Sequence, residues 1–210
     1  MYGKWLRGGH YTLRMPQRHA LVAGLAPIGI GLGVGSLTSL LQTSADFPWL
    51  ALVNAVSPWL TTAFAAGALQ RRLSAATWAG LAATVMQVIG YYATAEARGF
   101  GVNLEWVAMW AVCAIVGGPL FGAAGHAWRR GRPFGLGAAA LVAAWASEAV
   151  IAYQLRLGYT SSAVLFGVIA VVLALALGRH RAQYGRMAAW LVPALMAGAA
   201  GHAVLGVVAG

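Results

Sequence analysis

The sequence predicts an all-α integral membrane protein, a bundle of about seven transmembrane helices with a cytoplasmic N-terminus, and six spans as the alternative count. Three observations predict it. Hydrophobic residues make up 60% of the 210 and charged residues 9%, where a soluble domain of this size carries roughly 25% charge. Apolar runs of about 20 residues, the length a bilayer demands, follow one another along the chain between short polar or basic clusters. Basic residues concentrate in alternate connections, 12 of the 14 falling on one side, as cytoplasmic loops retain Lys and Arg.

Residues 1–19, MYGKWLRGGHYTLRMPQRH, mix aromatic and basic side chains and are broken by Gly8, Gly9 and Pro16. Such a juxtamembrane segment suits the inner headgroup layer, where Tyr, Trp and cationic side chains are favoured together. The bundle follows over 20–210, with spans near 20–42, 48–69, 74–95, 106–127, 134–154, 161–178 and 187–208. The first is too long for a signal-peptide core and lacks a small-residue cleavage site, so it is expected to be retained. The connections are too short for a soluble domain.

An N-terminus inside puts Lys4, Arg7, Arg14, Arg18, Arg71, Arg72, Arg129, Arg130, Arg132, Arg179, Arg181 and Arg186 in the cytoplasm, and leaves Arg98 and Arg156 outside with Asp46, Glu96 and Glu105. The formal charge of +10 is then a signal of orientation rather than of nucleic-acid binding. An odd span count leaves the C-terminus outside. Thirteen arginines against one lysine, with abundant Ala, Gly and Val, suit a GC-rich genome and point to a bacterial plasma membrane. Cys113 is the single cysteine, so no disulfide forms within the chain and no thiolate metal cluster is available.

Helical spacing gathers polar residues onto particular faces. The third span carries Gly80, Thr84, Gln87, Tyr91 and Thr94 as a small and polar stripe. The second offers Asn54, Ser57, Pro58 and Thr61, with Pro58 removing a backbone donor. The fifth supplies Ala144, Glu148 and Ala152, and the seventh Ala194, Gly198, His202, Gly206 and Gly210. Gly118 and Gly122 form a small-residue ridge on the fourth, with His126 at its cytoplasmic edge. These ridges suit close helix packing, within the bundle or against another subunit. The sixth span has no polar residue in its interior and is expected to face lipid.

Glu148 is one of four acidic residues, and it lies inside an apolar run. A carboxylate in hydrocarbon costs roughly 2.5 to 3.5 kcal/mol on the lenient insertion scale and marks a functional site by default. No Lys or Arg falls inside a predicted span, so Glu148 is expected to be protonated, paired with His202, or poised for a cationic or donor-rich ligand. The candidate ligand-binding residues are Glu148, His202, Asn54, Gln87, Tyr91 and Ser57, all placed in the outer half by the predicted topology. Gly118, Gly122, Gly198 and Gly206 are the candidate packing residues.

Catalytic signatures are absent: no HExxH, no acidic pair for magnesium and diphosphate, no Walker lysine motif and no GxSxG. No catalytic residue, metal or cofactor is therefore expected, although Glu148 and His202 would serve as an acid/base pair. The runs NAVSPWLTTAFAAGAL, GYYATAEARG and VGGPLFGAAGHAWRR resemble an uncharacterised family of small multi-spanning bacterial membrane proteins, over roughly residues 20 to 200. That resemblance implies no activity. In size, hydrophobicity and small-residue ridges the chain also looks like substrate-binding subunits of energy-coupling-factor transporters, a fold-level analogy. It departs from them in having seven expected spans rather than six and none of their vitamin-specific motifs. The leading expectation is small-molecule recognition or transport in the bilayer. A scaffold subunit docking a membrane partner or a second copy through the glycine ridges is the alternative, and an intramembrane enzyme is third.

Overall fold

The computed structural model describes residues 15–130 and 133–208, with side-chain surroundings described over 24–130 and 133–204. Most of the 1–19 segment, Arg132, and the surroundings of Gly206 and Gly210 lie outside the described residues. Among those described every element is helical: α1 (Met15–Leu41), α2 (Leu50–Val53), α3 (Val56–Ala68), α4 (Leu73–Ala97), α5 (Leu104–Arg129), α6 (Leu136–Ser147), α7 (Thr160–Arg179) and α8 (Tyr184–Val208). From Glu148 to Arg156 α6 continues as a π-helix, and a 3₁₀ turn, His180–Ala182, precedes α8. Among the described residues six helices are long and apolar enough to cross a membrane, counting α6 with its π continuation as one.

The stretch expected to be one helix over 48–69 is instead broken. α2 ends at Asn54, Ala55 is extended (φ −112°, ψ 154°), and α3 starts anew at Val56. The directions of its neighbours show what it does. Gly31 of α1 lies against Ala83 of α4, Gly35 against Gln87 and Tyr91, and Arg98 hydrogen-bonds the Ser39 carbonyl, so α1 and α4 run parallel. The chain between them must return through the bundle, and α2 with α3 is that return.

Close packing follows the small residues. Gly80 of α4 meets Gly118 and Gly122 of α5, and Gly67 of α3 also touches Gly122. A Cβ at Gly122 would collide with the Ala76 carbonyl, so glycine here permits backbone contact, as close membrane packing requires. The α4 stripe lies at this interface: Thr84 Oγ1 bonds its own helix at Gly80 and Leu81 and crosses to the Ala114 carbonyl at 3.0 Å. Thus the Gly118–Gly122 ridge is used inside the bundle.

α6 is the most enclosed span, whereas α8 is the least buried of the six. α7, expected to face lipid, does expose Val164, Val168, Val171 and Leu175, but it buries Ser162, Phe166, Ala170 and Leu177 on one stripe. Phe166 stacks against Trp145 and Tyr153 at 5.0 and 4.7 Å, which ties α7 to α6.

Helix ends obey charge and capping rules. Asn103 Oδ1 accepts from the Glu105 N–H at 2.8 Å, Glu105 sits in the first turn of α5, and His126 and Arg129 sit in its last, each sign matching the helix dipole. At the basic end Gln183, 1% exposed, accepts from the Gly135 N–H at 2.9 Å and donates to the Trp128 carbonyl at 3.0 Å. One amide thereby joins the end of α5, the start of α6 and the turn before α8.

Candidate functional site

The break between α2 and α3 is where backbone groups lose their helical partners. The first four N–H groups of a helix have no intrahelical acceptor; for α3 those positions are Ala55, Val56, Ser57 and Pro58. Ala55 has no side chain able to cap, and no side-chain cap is made at that position. Pro58 carries no N–H, and the first turn is where a helix tolerates that. The Val56 and Ser57 N–H groups donate to the two carboxylate oxygens of Glu148, at 2.9 and 2.8 Å. Glu148 is 4% exposed, and it caps a helix 91 residues away in sequence. The positive end of that helix favours the anion.

Two neighbours on the same wall complete the clamp. Tyr153 donates its hydroxyl to the Ala51 carbonyl of α2 at 3.1 Å, and Trp145 donates its indole N–H to Thr61 Oγ1 of α3 at 3.0 Å. The π-helix makes this possible. Its i→i+5 hydrogen bonds widen the turn and bring Glu148 and Tyr153 toward one side, whereas the 3.6 residues per turn of an α-helix would splay them apart. Ala144 and Glu148 are buried, and Ala152 packs partly buried against the same core, so the expected stripe Ala144, Glu148, Ala152 stays on the inner side.

Of the sequence-predicted residues, the structure brings Ser57 to Glu148 through its N–H, while His202 is half-buried on α8. Asn54 and Tyr91 form a second group. They line a cavity of about 20 Å³ with Val53, Trp59 and Trp110, room for about one water. The Tyr91 hydroxyl donates to Gln42, and its ring lies 6.1 Å from that of Trp59. Gln87 is fully buried, and among the described residues neither its amide oxygen nor its nitrogen has a hydrogen-bond partner. It is bonded to none of the other candidates. Gly118, Gly122 and Gly198 all lie at helix contacts, Gly198 against Ser147 just before Glu148.

Trp145, Tyr153 and Thr61 are the members that sequence reasoning did not assign to the site; the signal was aromatic donors three and five residues from a buried acid. Two more buried polar atoms, Ser57 Oγ and Trp59 Nε1, have no hydrogen-bond partner among the described residues. At the break, then, a carboxyl group holding two backbone N–H groups lies beside the unpaired Ser57 hydroxyl oxygen. Among the described residues no three His, Cys, Asp or Glu side chains group as metal ligands would.

No curated protein and no solved structure matches the chain. A family model does match residues 14–209, nearly the whole length: the chain is a multi-pass membrane protein belonging to a family of unknown function, DUF6518.

Proposed function

We propose that this protein recognises or transports a small polar molecule at the broken second crossing, with Glu148 as the central ligand-binding group and Ser57, Asn54, Gln87, Tyr91 and His202 around it. In this reading the chain crosses a bacterial plasma membrane seven times, the basic end faces the cytoplasm, and the site opens toward the outer face. The supporting observation is that Glu148 holds the free N-terminus of α3. Discontinuous helices whose half-helix ends meet ions or substrates are the usual way that membrane transporters build a site near mid-bilayer.

The chemistry favours a ligand rich in N–H or O–H donors. A carboxylate offers about four acceptor positions, and the α3 backbone uses two of them. Unpaired groups on Gln87, Ser57 and Trp59 supply further donors and acceptors, each costing roughly 1–3 kcal/mol while buried and unmet. A ligand that met them would recover that free energy. The 20 Å³ cavity admits no ligand as it stands, so binding must widen the break at Asn54–Ala55.

The test is a thermal-stabilisation screen of polar metabolites against the purified protein, repeated on Glu148→Gln. A compound that raises the wild-type Tm and leaves the folded variant unchanged supports the reading. Equal stabilisation of both proteins, or none across amine, amide and polyol classes, overturns it.

A further inference from the structure

A second cavity lies far from Glu148, at the basic end of the bundle. It is a groove of about 530 Å³ lined by Pro133, Phe134, Arg186, Ala189 and Trp190, between the start of α6 and the start of α8. That volume falls in the range of small-molecule sites, roughly 300–1,000 Å³. The two helix starts are pressed together where Gly135 (φ +85°) meets the backbone of Arg186 and Met187. The Gln183 amide fixes this corner. The groove is therefore preformed.

From this groove we infer that the protein binds the headgroup of an acidic phospholipid there, with Arg186 on the phosphate and Phe134 and Trp190 against the glycerol and first acyl carbons. The Arg186 guanidinium lies 4.9 Å from the centre of the Phe134 ring, which holds it over the groove, and Arg186 is solvent-exposed. No carboxylate of the chain is available to it. Asp46, Glu96 and Glu105 belong to the opposite end, and Glu148 is engaged inside the bundle. Arg71, Arg72, Arg129, Arg130, Arg179 and Arg181 add positive charge at the same end, so the field draws an anion.

The groove also sits where the hydrophobic span of α8 begins. Interfacial Trp and cationic side chains at that depth are what phospholipid headgroups meet. A basic groove with an apolar floor suits an amphiphile better than a free anion, since the floor gives a soluble phosphate nothing to bury. The inference holds for whichever leaflet the basic end faces and does not depend on the Glu148 site.

Native mass spectrometry of the full chain in detergent tests it, with phosphatidylglycerol, phosphatidylcholine and soluble glycerol 3-phosphate as probes. Phosphatidylglycerol should bind in preference to phosphatidylcholine and resist competition by glycerol 3-phosphate. Arg186→Gln should weaken it about fivefold, the loss of one cationic contact near a membrane surface. Arg71→Gln, which removes only a distant contribution to the field, should weaken it by less than about twofold, and far-UV circular dichroism should report both variants as helical as wild type. Equal binding of the two lipids, full competition by glycerol 3-phosphate, or equal losses in the two variants would overturn the assignment, the last by reducing it to diffuse charge.

Discussion

The Glu148 carboxylate accepts a hydrogen bond from the Ser57 N–H at 2.8 Å, and the adjacent Val56 N–H meets its other oxygen. A buried acid thus closes the open end of a helix that the sequence leaves uncapped. Removing it strands two backbone donors inside a membrane bundle. Glu148→Ala should destabilise the protein by about 3 kcal/mol, taking about 1.5 kcal/mol for each bond to a charged group. Glu148→Gln keeps one carbonyl acceptor and should lose roughly half as much. Reversible unfolding in mixed micelles measures both, and an alanine variant as stable as wild type would show that the cap does not matter.

The glycine contacts separate positions that need no side chain from positions that merely have none. A Cβ at Gly122 collides with the Ala76 backbone, whereas one at Gly33 or Gly167 meets nothing within 4 Å. Gly122→Ala should cost about 1–3 kcal/mol by overpacking. Gly167→Ala should be neutral or stabilise by up to about 1 kcal/mol through helix propensity. Thermal unfolding of the two variants side by side checks the difference. Gly122→Leu should abolish folding of the isolated chain rather than merely release a partner, because the ridge is occupied from within.

Gln183 tests whether the basic end is held by one amide. Gln183→Ala removes its bonds to Gly135 and Trp128 and leaves a buried N–H without an acceptor, a loss of about 2–4 kcal/mol. Hydrogen exchange should report it locally, as faster exchange at Gly135 and the first turn of α6. Unchanged protection there would mean that Gly135 is satisfied another way.

Much of this architecture is legible in the sequence because hydrophobic length is a local property: runs such as 161–178 announce themselves. The stripe Gly80, Thr84, Gln87 was legible too, since three of its members sit one helical turn apart and all are buried. The break at Asn54 was not. Its local sign, Pro58, suits a continuous helix with a freed carbonyl as well as the first turn of a new one. What decides between them is a carboxylate 91 residues away, and no periodicity links the two. The π-helix escaped for a related reason. Its i→i+5 register has no sequence signature of its own and is fixed by Tyr153 and Glu148 both reaching for α2 and α3.

Orientation is the remaining prediction, and it combines the charge pattern with the parallel run of α1 and α4. Arg98 bonds the Ser39 carbonyl and Thr43, which sets the 42–48 turn and the 98–103 loop at one end, while Arg71 and Arg72 lie at the other with Arg129, whose guanidinium reaches the Ala68 carbonyl. Asp46, Arg71 and Gly101 are all exposed, so a cysteine at any of them is accessible from its own side. With Cys113, the only native cysteine, replaced by Ala, Asp46→Cys and Gly101→Cys should react with an impermeant thiol reagent on intact cells. Arg71→Cys should react only after the cells are opened. Because Lys and Arg are held back in the cytoplasm during insertion, the reverse pattern would require this chain to insert against its own charge asymmetry. It would also turn the site around Glu148 toward the cytoplasm. Labelling of all three positions from outside would instead deny that α2 and α3 together cross the membrane, since Asp46 and Arg71 would then share one face.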